Sequence, residues 1–346
     1  MTSAEIITHT NPTVTMRYPY PFRLISVCLL SILFLDHSRG SPGIDPEEAL
    51  PVFSCGLSFP QGIFLNPNTI YVPFKMVGRL IAVEAQVDTV SGIFVLDTGA
   101  ERLLLNKNYF GWDHRIKDVA AFGSTGPMGP VLFKKVDTLQ WDNLYFFDVK
   151  ANVVDLSHLE AQKNIRLVGM IGYEVLKDFE VFLDFQTMTI VITRLDENGF
   201  RIDQDAIPEL PYDSLGFMMR RHLIILDATV DGARLKFTLD SGAELNLLDR
   251  LVSRKVLDHF EVLKRVNMRG VGQNSVEVLA GKLYDVVCGN QTNEAMGTLL
   301  TSLEDMNNEF HTRLDGVIGM EFLFPRRTLI NYKQKKLFFY KNNNKP

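Results

Sequence analysis

Phe94-Val95-Leu96-Asp97-Thr98-Gly99-Ala100 and Phe237-Thr238-Leu239-Asp240-Ser241-Gly242-Ala243 each set Asp-Thr/Ser-Gly-Ala directly behind an apolar run. One such tetrad by itself reads as a β-turn, with Asp and hydroxyl satisfying turn amides. These two lie inside a longer repeat. Leu80–Leu105 aligns with Leu223–Leu248 without a gap at an offset of 143, and thirteen of 26 paired residues are identical. Similarity resumes in Phe122–Gly126 against Arg269–Gln273, and again in Val168–Leu176 against Asp315–Leu323. There the offset is 147, so the second copy holds four extra residues between the first and second blocks. Two copies are too few for a solenoid. They describe a duplicated domain with pseudo-twofold character.

Within each copy the pattern is mostly strand. Leu80–Val87 and Leu223–Val230 alternate, Ile93–Leu96 and Leu235–Leu239 are short apolar runs, and Val181–Thr193 and Leu329–Tyr340 have the form of hairpins. Gly, Asp and Asn turns between short runs indicate an all-β design with a few short helices. Over 346 residues, a net charge of −5 and a pI near 5.8 lack the footprint of a nucleic-acid binder. With 46% hydrophobic and 22% charged residues, wholesale disorder is excluded. Three Cys make no disulfide framework, and no Cys/His spacing suggests zinc. Cys55 and Cys288 are left either paired or free.

The chemistry follows from the tetrads. A carboxylate at the tip of a buried strand is costly to ionise and needs donors, and the Gly amide can be one. Lacking Cβ, the Gly also lets neighbouring backbone come close. Two such tips across a pseudo-twofold axis hold carboxyls about 3 Å apart, which cannot both ionise and so share a proton. One is then a base towards water while the other donates to a carbonyl oxygen. Asp97 and Asp240 are the expected catalytic pair, Gly99 and Gly242 shape their loops, and the Thr98 and Ser241 hydroxyls are suited to lock the loops together.

On these residues the sequence resembles the aspartic protease clan, and in particular the retropepsin-like bacterial proteins that carry two tandem copies in one chain. Each copy also has the clan's apolar-apolar-Gly strand, Met170-Ile171-Gly172 and Val317-Ile318-Gly319. The resemblance implies two pseudo-symmetric acid-protease-like β-barrel lobes with the active site between them. It also implies that this strand passes beneath the catalytic loop. Gly123, Ser124 and Gly126, and Gly270 and Gly272, fall where the family carries its substrate-binding flaps. The implied activity is endopeptidase, with a polypeptide substrate lying as an extended strand under the flaps. No metal or organic cofactor is required. The copies are expected to pair within one chain, as a monomer rather than a homodimer. The alternative is a catalytically silent peptide-binding protein that kept the fold; a third reading is a structural envelope protein.

The apolar run Leu24–Leu35, preceded by Arg17 and Arg23, fits a signal-peptide core, with an uncleaved anchor as its alternative. The expected organisation is a signal peptide over 1–40, a lead-in over 41–69, lobes over 70–195 and 210–341, a polar linker over 196–209, and a tail over 342–346. A periplasmic or secreted location follows. The seven His read as surface or loop residues, and Arg220-Arg221 and Arg326-Arg327 as solvated pairs. Glu101 and Glu244, repeated just after the Ala, flank the cleft or form surface salt bridges.

Overall fold

Alternation of apolar and polar residues builds the sheets, and in one equivalent strand the two copies bury the same positions. Leu80–Val87 and Leu223–Val230 share one pattern of burial, in which Glu84 and Asp227 are exposed at matching places. The computed structural model describes residues 68–342, apart from 124–125 and 271–274. The predicted signal peptide, nearly all of the lead-in and tail, Cys55, Ser124 and Gly272 lie outside the described residues.

The chain enters through β1 (Thr69–Pro73). It then forms β2 (Lys75–Val77), β3 (Leu80–Val87), β4 (Val90–Leu96), β5 (Leu103–Asn106), β6 (His114–Gly123), β7 (Gly126–Trp141) and β8 (Leu144–Val154). Helix α1 (Ser157–Lys163), β9 (Leu167–Ile171) and α2 (Tyr173–Leu176) follow, and the hairpin β10 (Phe179–Asp184) and β11 (Thr189–Arg194) ends the first half. The second half runs β12 (Asp213–Gly216), β13 (Met218–Arg220), β14 (Leu223–Val230), β15 (Ala233–Leu239) and β16 (Asn246–Asp249). Next come α3 (Arg254–Leu257), β17 (Phe260–Arg269), β18 (Ser275–Cys288), β19 (Gln291–Thr301) and α4 (Glu304–Phe310). It closes with β20 (Gly316–Ile318), α5 (Met320–Leu323), β21 (Arg327–Asn331) and β22 (Lys336–Tyr340).

Each half winds into an eight-stranded, barrel-like sheet, and the two orders correspond: β2-β3-β4-β9-β5-β8-β7-β6 and β13-β14-β15-β20-β16-β19-β18-β17. The fold is all-β with two lobes. The extra residues of the second copy appear as the helical turn α3, between β16 and β17. In both lobes the apolar-apolar-Gly strand is central. β9 runs parallel to β4 and antiparallel to β5, and β20 does the same between β15 and β16. Buried on both faces, these strands are apolar throughout.

The hairpins β10–β11 and β21–β22 join edge to edge, with Glu180 opposite Asn331, in a third, six-stranded sheet of order β1-β11-β10-β21-β22-β12. The apolar core runs through it from lobe to lobe. The 196–209 segment is a strap rather than a solvated tether. Its Ala206 and Ile207 pack on Phe182, Val191, Leu329 and Tyr340 of that sheet, which cover their apolar side chains from water. Arg327, read from sequence as solvated, is buried and bonds Asp184 at 3.0 Å and Glu209 of the strap at 2.6 Å. Arg326 donates to Phe322 O at 2.7 Å and to Asn293 at 2.7 Å, so neither Arg of this pair is free in solvent. Arg220 and Arg221 are exposed, as expected, with Arg220 also reaching Phe310 O at 3.3 Å.

The crossing beneath the two Asp loops leaves no room for a side chain. A Cβ on Gly172 would lie 2.4 Å from Arg102 O, and one on Gly319 would lie 2.2 Å from Ala243 O. Backbone on both sides cannot give way. Gly172→Ala and Gly319→Ala are each expected to lower unfolding free energy by about 3 kcal/mol or more in urea titrations. Gly111→Ala, with nothing within 4 Å, is expected to stay within about 0.5 kcal/mol of the parent.

Candidate active site

Asp97 follows β4 and Asp240 follows β15, so both carboxyls stand at strand ends, and both residues are fully buried. The central strands hold the backbone there. Asp97 N–H donates to Ile171 O at 3.0 Å and Asp240 N–H to Ile318 O at 2.9 Å. Behind the loops, Tyr173 N–H donates to Ala100 O at 2.8 Å and Met320 N–H to Ala243 O at 2.9 Å. Each loop also supplies donors to its own carboxyl. Gly99 and Ala100 N–H reach Asp97 Oδ1 at 2.9 and 3.0 Å, and Gly242 N–H reaches Asp240 Oδ1 at 2.8 Å. These amides offset part of the loss of water around a buried carboxylate.

The loops are bonded to each other by crossed hydrogen bonds. Thr98 N–H donates to Ser241 Oγ at 3.0 Å, and Ser241 N–H donates to Thr98 Oγ1 at 2.9 Å. Each hydroxyl passes its proton on to the strand opposite: Ser241 Oγ to Leu96 O at 2.8 Å, and Thr98 Oγ1 to Leu239 O at 3.4 Å. The approach is close enough that a Cβ on Gly99 would lie 2.5 Å from Asp240 Cγ. Both carboxyls therefore bear on Gly99, one through its amide and one across its bare Cα. Tyr332, buried below, has its phenol pushed up by burial and by the charges of Tyr173 and Asp97.

Around this centre the repeated glutamates reach between lobes. Glu244 pairs with Lys163 of α1, and Arg79 pairs with Glu321 of α5. Glu101 faces His222 Nδ1 at 3.9 Å, and burial raises its carboxyl. His222 lies in the turn between β13 and β14, within the expectation of a surface or loop position, but it is buried there. It is 1% exposed, and its Nε2 is 3.1 Å from Gly99 O. Burial pushes the imidazole down to about 3, so the ring is neutral, and because a carbonyl only accepts, Nε2 carries the hydrogen. The repeat held a signal for it, since the 143-residue offset sets His222 opposite Arg79.

Of the flap candidates, Gly123 and Gly126 pair at the tip of the β6–β7 hairpin. Gly123 borders a cavity of about 370 Å³ lined by Met268, Val278 and Met306 of the other lobe. Gly270 follows β17, and its carbonyl lies 3.2 Å from His158 Nε2 on α1. Both hairpins thus reach across the lobe boundary. Among the described residues, no group of three His, Cys, Asp or Glu could hold a metal ion, and no helix is long and apolar enough to cross a membrane. Cys288 is buried, with its thiol pushed up to about 12.

No family model and no curated protein matches this chain. Among solved structures it is similar to the crystal structure of aspartic proteinase from Irpex lacteus, at 11% identity and a TM-score of 0.49, over 80% of this chain and 98% of that one.

The crossed bonds can be tested without an assay of activity. Ser241→Ala leaves the Thr98 amide and the Leu96 carbonyl without their buried partner, and is expected to lower unfolding free energy by about 2–4 kcal/mol in urea. A second expectation concerns pH. His222 takes up its proton near pH 6.5 when unfolded and only near 3 when folded, so its stabilisation is complete above 6.5 and lost as pH falls towards 3. Against a His222→Gln variant, the parent is expected to lose up to about 1.4 kcal/mol per pH unit across that window.

Proposed function

We propose that this chain is an aspartic endopeptidase of the type with two retropepsin-like copies in one chain, and that Asp97 and Asp240 form a single catalytic dyad. The observation that carries the reading is the crossed Thr98–Ser241 hydrogen bonding, which ties two buried carboxylate loops into one unit. In the proposed reaction one carboxylate takes a proton from a water as its oxygen attacks the peptide carbonyl carbon. The other carboxyl gives its proton to the carbonyl oxygen. The tetrahedral intermediate collapses as the C–N bond breaks: the nitrogen takes the proton held by the first carboxyl, one hydroxyl returns its proton to the second, and a carboxylic acid and an amine leave with the pair restored. Bonded loops matter because preorganised groups need little rearrangement at the moment of reaction. The substrate would lie between the dyad and the β6–β7 and β17–β18 hairpins, adding backbone hydrogen bonds as a strand. A silent peptide-binding role has no use for two buried carboxyls brought against one glycine. A location outside the cytoplasm belongs to the same proposal, supported by the Arg-flanked run Leu24–Leu35.

The test is non-additivity. Asp97→Asn and Asp240→Asn are each expected to remove nearly all cleavage of a peptide library across pH, and the double variant to be scarcely worse than either. Asn keeps the shape, so circular dichroism should be unchanged. A folded single variant that retains a large share of activity would refute one shared dyad.

A further inference from the structure

The two halves of the site correspond closely until the residue before β3 and β14. There the first half has Arg79 and the second has His222. Arg79 lies at the rim, 45% of its side chain exposed, and pairs with Glu321. His222 is buried and turned inward, its Nε2–H donating to Gly99 O at 3.1 Å.

From these contacts we infer that His222 is a positioning residue, reaching from the second lobe to hold the first carboxylate loop through Gly99, and that it makes the two carboxyls inequivalent. This rests on the reading of Asp97 and Asp240 as a catalytic dyad. The coupling is geometric. Gly99 C=O and Ala100 N–H belong to one rigid peptide plane. An imidazole that fixes the carbonyl therefore aims the Ala100 amide, which lies 3.0 Å from Asp97 Oδ1. In both lobes the Ala amide also approaches its own Asp main-chain carbonyl, Ala100 at 3.2 Å and Ala243 at 3.1 Å, and the Gly amide supplies the carboxyl, so what sets the first loop apart is the added contact of Ala100 N–H to Asp97 Oδ1. Glycine has more backbone freedom than any other residue, so the plane after Gly99 gains most from an outside anchor. The groups that face the ring are Glu101, Arg221, Tyr173 and Phe310. A neutral donor here orients the loop without adding a cation behind Asp97.

The experiment compares His222→Leu, His222→Gln and Arg79→Leu with the parent, by kcat, KM, the pH profile of kcat, and NMR titration of the Asp97 and Asp240 carboxyl carbons. His222→Leu is expected to lower kcat about tenfold or more, to leave KM within about twofold, and to move the acid limb of the profile to higher pH. Because the pair titrates as a unit, both carbons should report the change, with the larger move to higher pH at Asp97. His222→Gln, whose amide hydrogen can stand where Nε2–H stood, should recover most of the loss. Arg79→Leu should stay within about twofold in kcat. If the Leu chain does not fold, His222→Asn takes its place, since its amide nitrogen falls short of Gly99. Parent-like kcat and titrations in the Leu or Asn variant would overturn the inference, and so would an equal loss in Arg79→Leu. A parent with no peptidase activity refutes the dyad reading; the carbon titrations then still decide whether His222 acts more on Asp97 than on Asp240.

Discussion

Two carboxyl groups removed from water can be held near one another only if the surrounding backbone is fixed independently of them, because their own interaction pushes them apart. Here that fixing is done by four hydrogen bonds between two short loops. Thr98 and Ser241 each accept from the other's amide and donate to a carbonyl of the opposite strand. No group in this ring is left without a partner, which is what permits it to be fully buried. The loops in turn are seated on β9 and β20. Those strands can pass beneath only because Gly172 and Gly319 have no side chain.

The same construction is not equally supplied in both lobes. One side is ionic, with the exposed Arg79 on Glu321 and the largely buried Lys163 on Glu244. On the other side a buried neutral imidazole touches the loop itself. The Arg79 pair is partly open to solvent and weakened by it, whereas the Lys163–Glu244 pair and the His222 hydrogen bond lie largely in the interior. The two halves therefore share a fold while differing in how firmly the environment holds each carboxylate loop.

The lobes are kept in register from below by the six-stranded sheet. Glu180 of the first half accepts from Asn331 of the second at 2.8 Å, and Arg327 joins Asp184 to Glu209 of the strap. Removing one member of such a buried set strands the rest, so the sheet resists sliding of one lobe on the other. The Asp97 and Asp240 loops thereby inherit their relative placement from strands remote in sequence.

Much of this was legible in the sequence. Alternation and turn residues determined the strands and the all-β class, because a strand's two faces must match its two environments. The aligned Asp-Thr/Ser-Gly-Ala tetrads singled out Asp97 and Asp240, since they recur at a fixed offset, and the family resemblance implied the crossing at Gly172 and Gly319. Other features were not legible. That β10 pairs with β21, that residues 196–209 pack as a strap, that Arg327 is buried and that His222 rather than any other His meets Gly99 are outcomes of long-range docking. A hairpin's sequence specifies its own register but not which edge it will meet, and polar residues such as Arg and His look alike in sequence whether solvated or buried with a partner. Only the assembled lobes bring residues 123 positions apart, His222 and Gly99, to hydrogen-bonding distance, because that distance depends on two barrels closing against one another and on no local pattern.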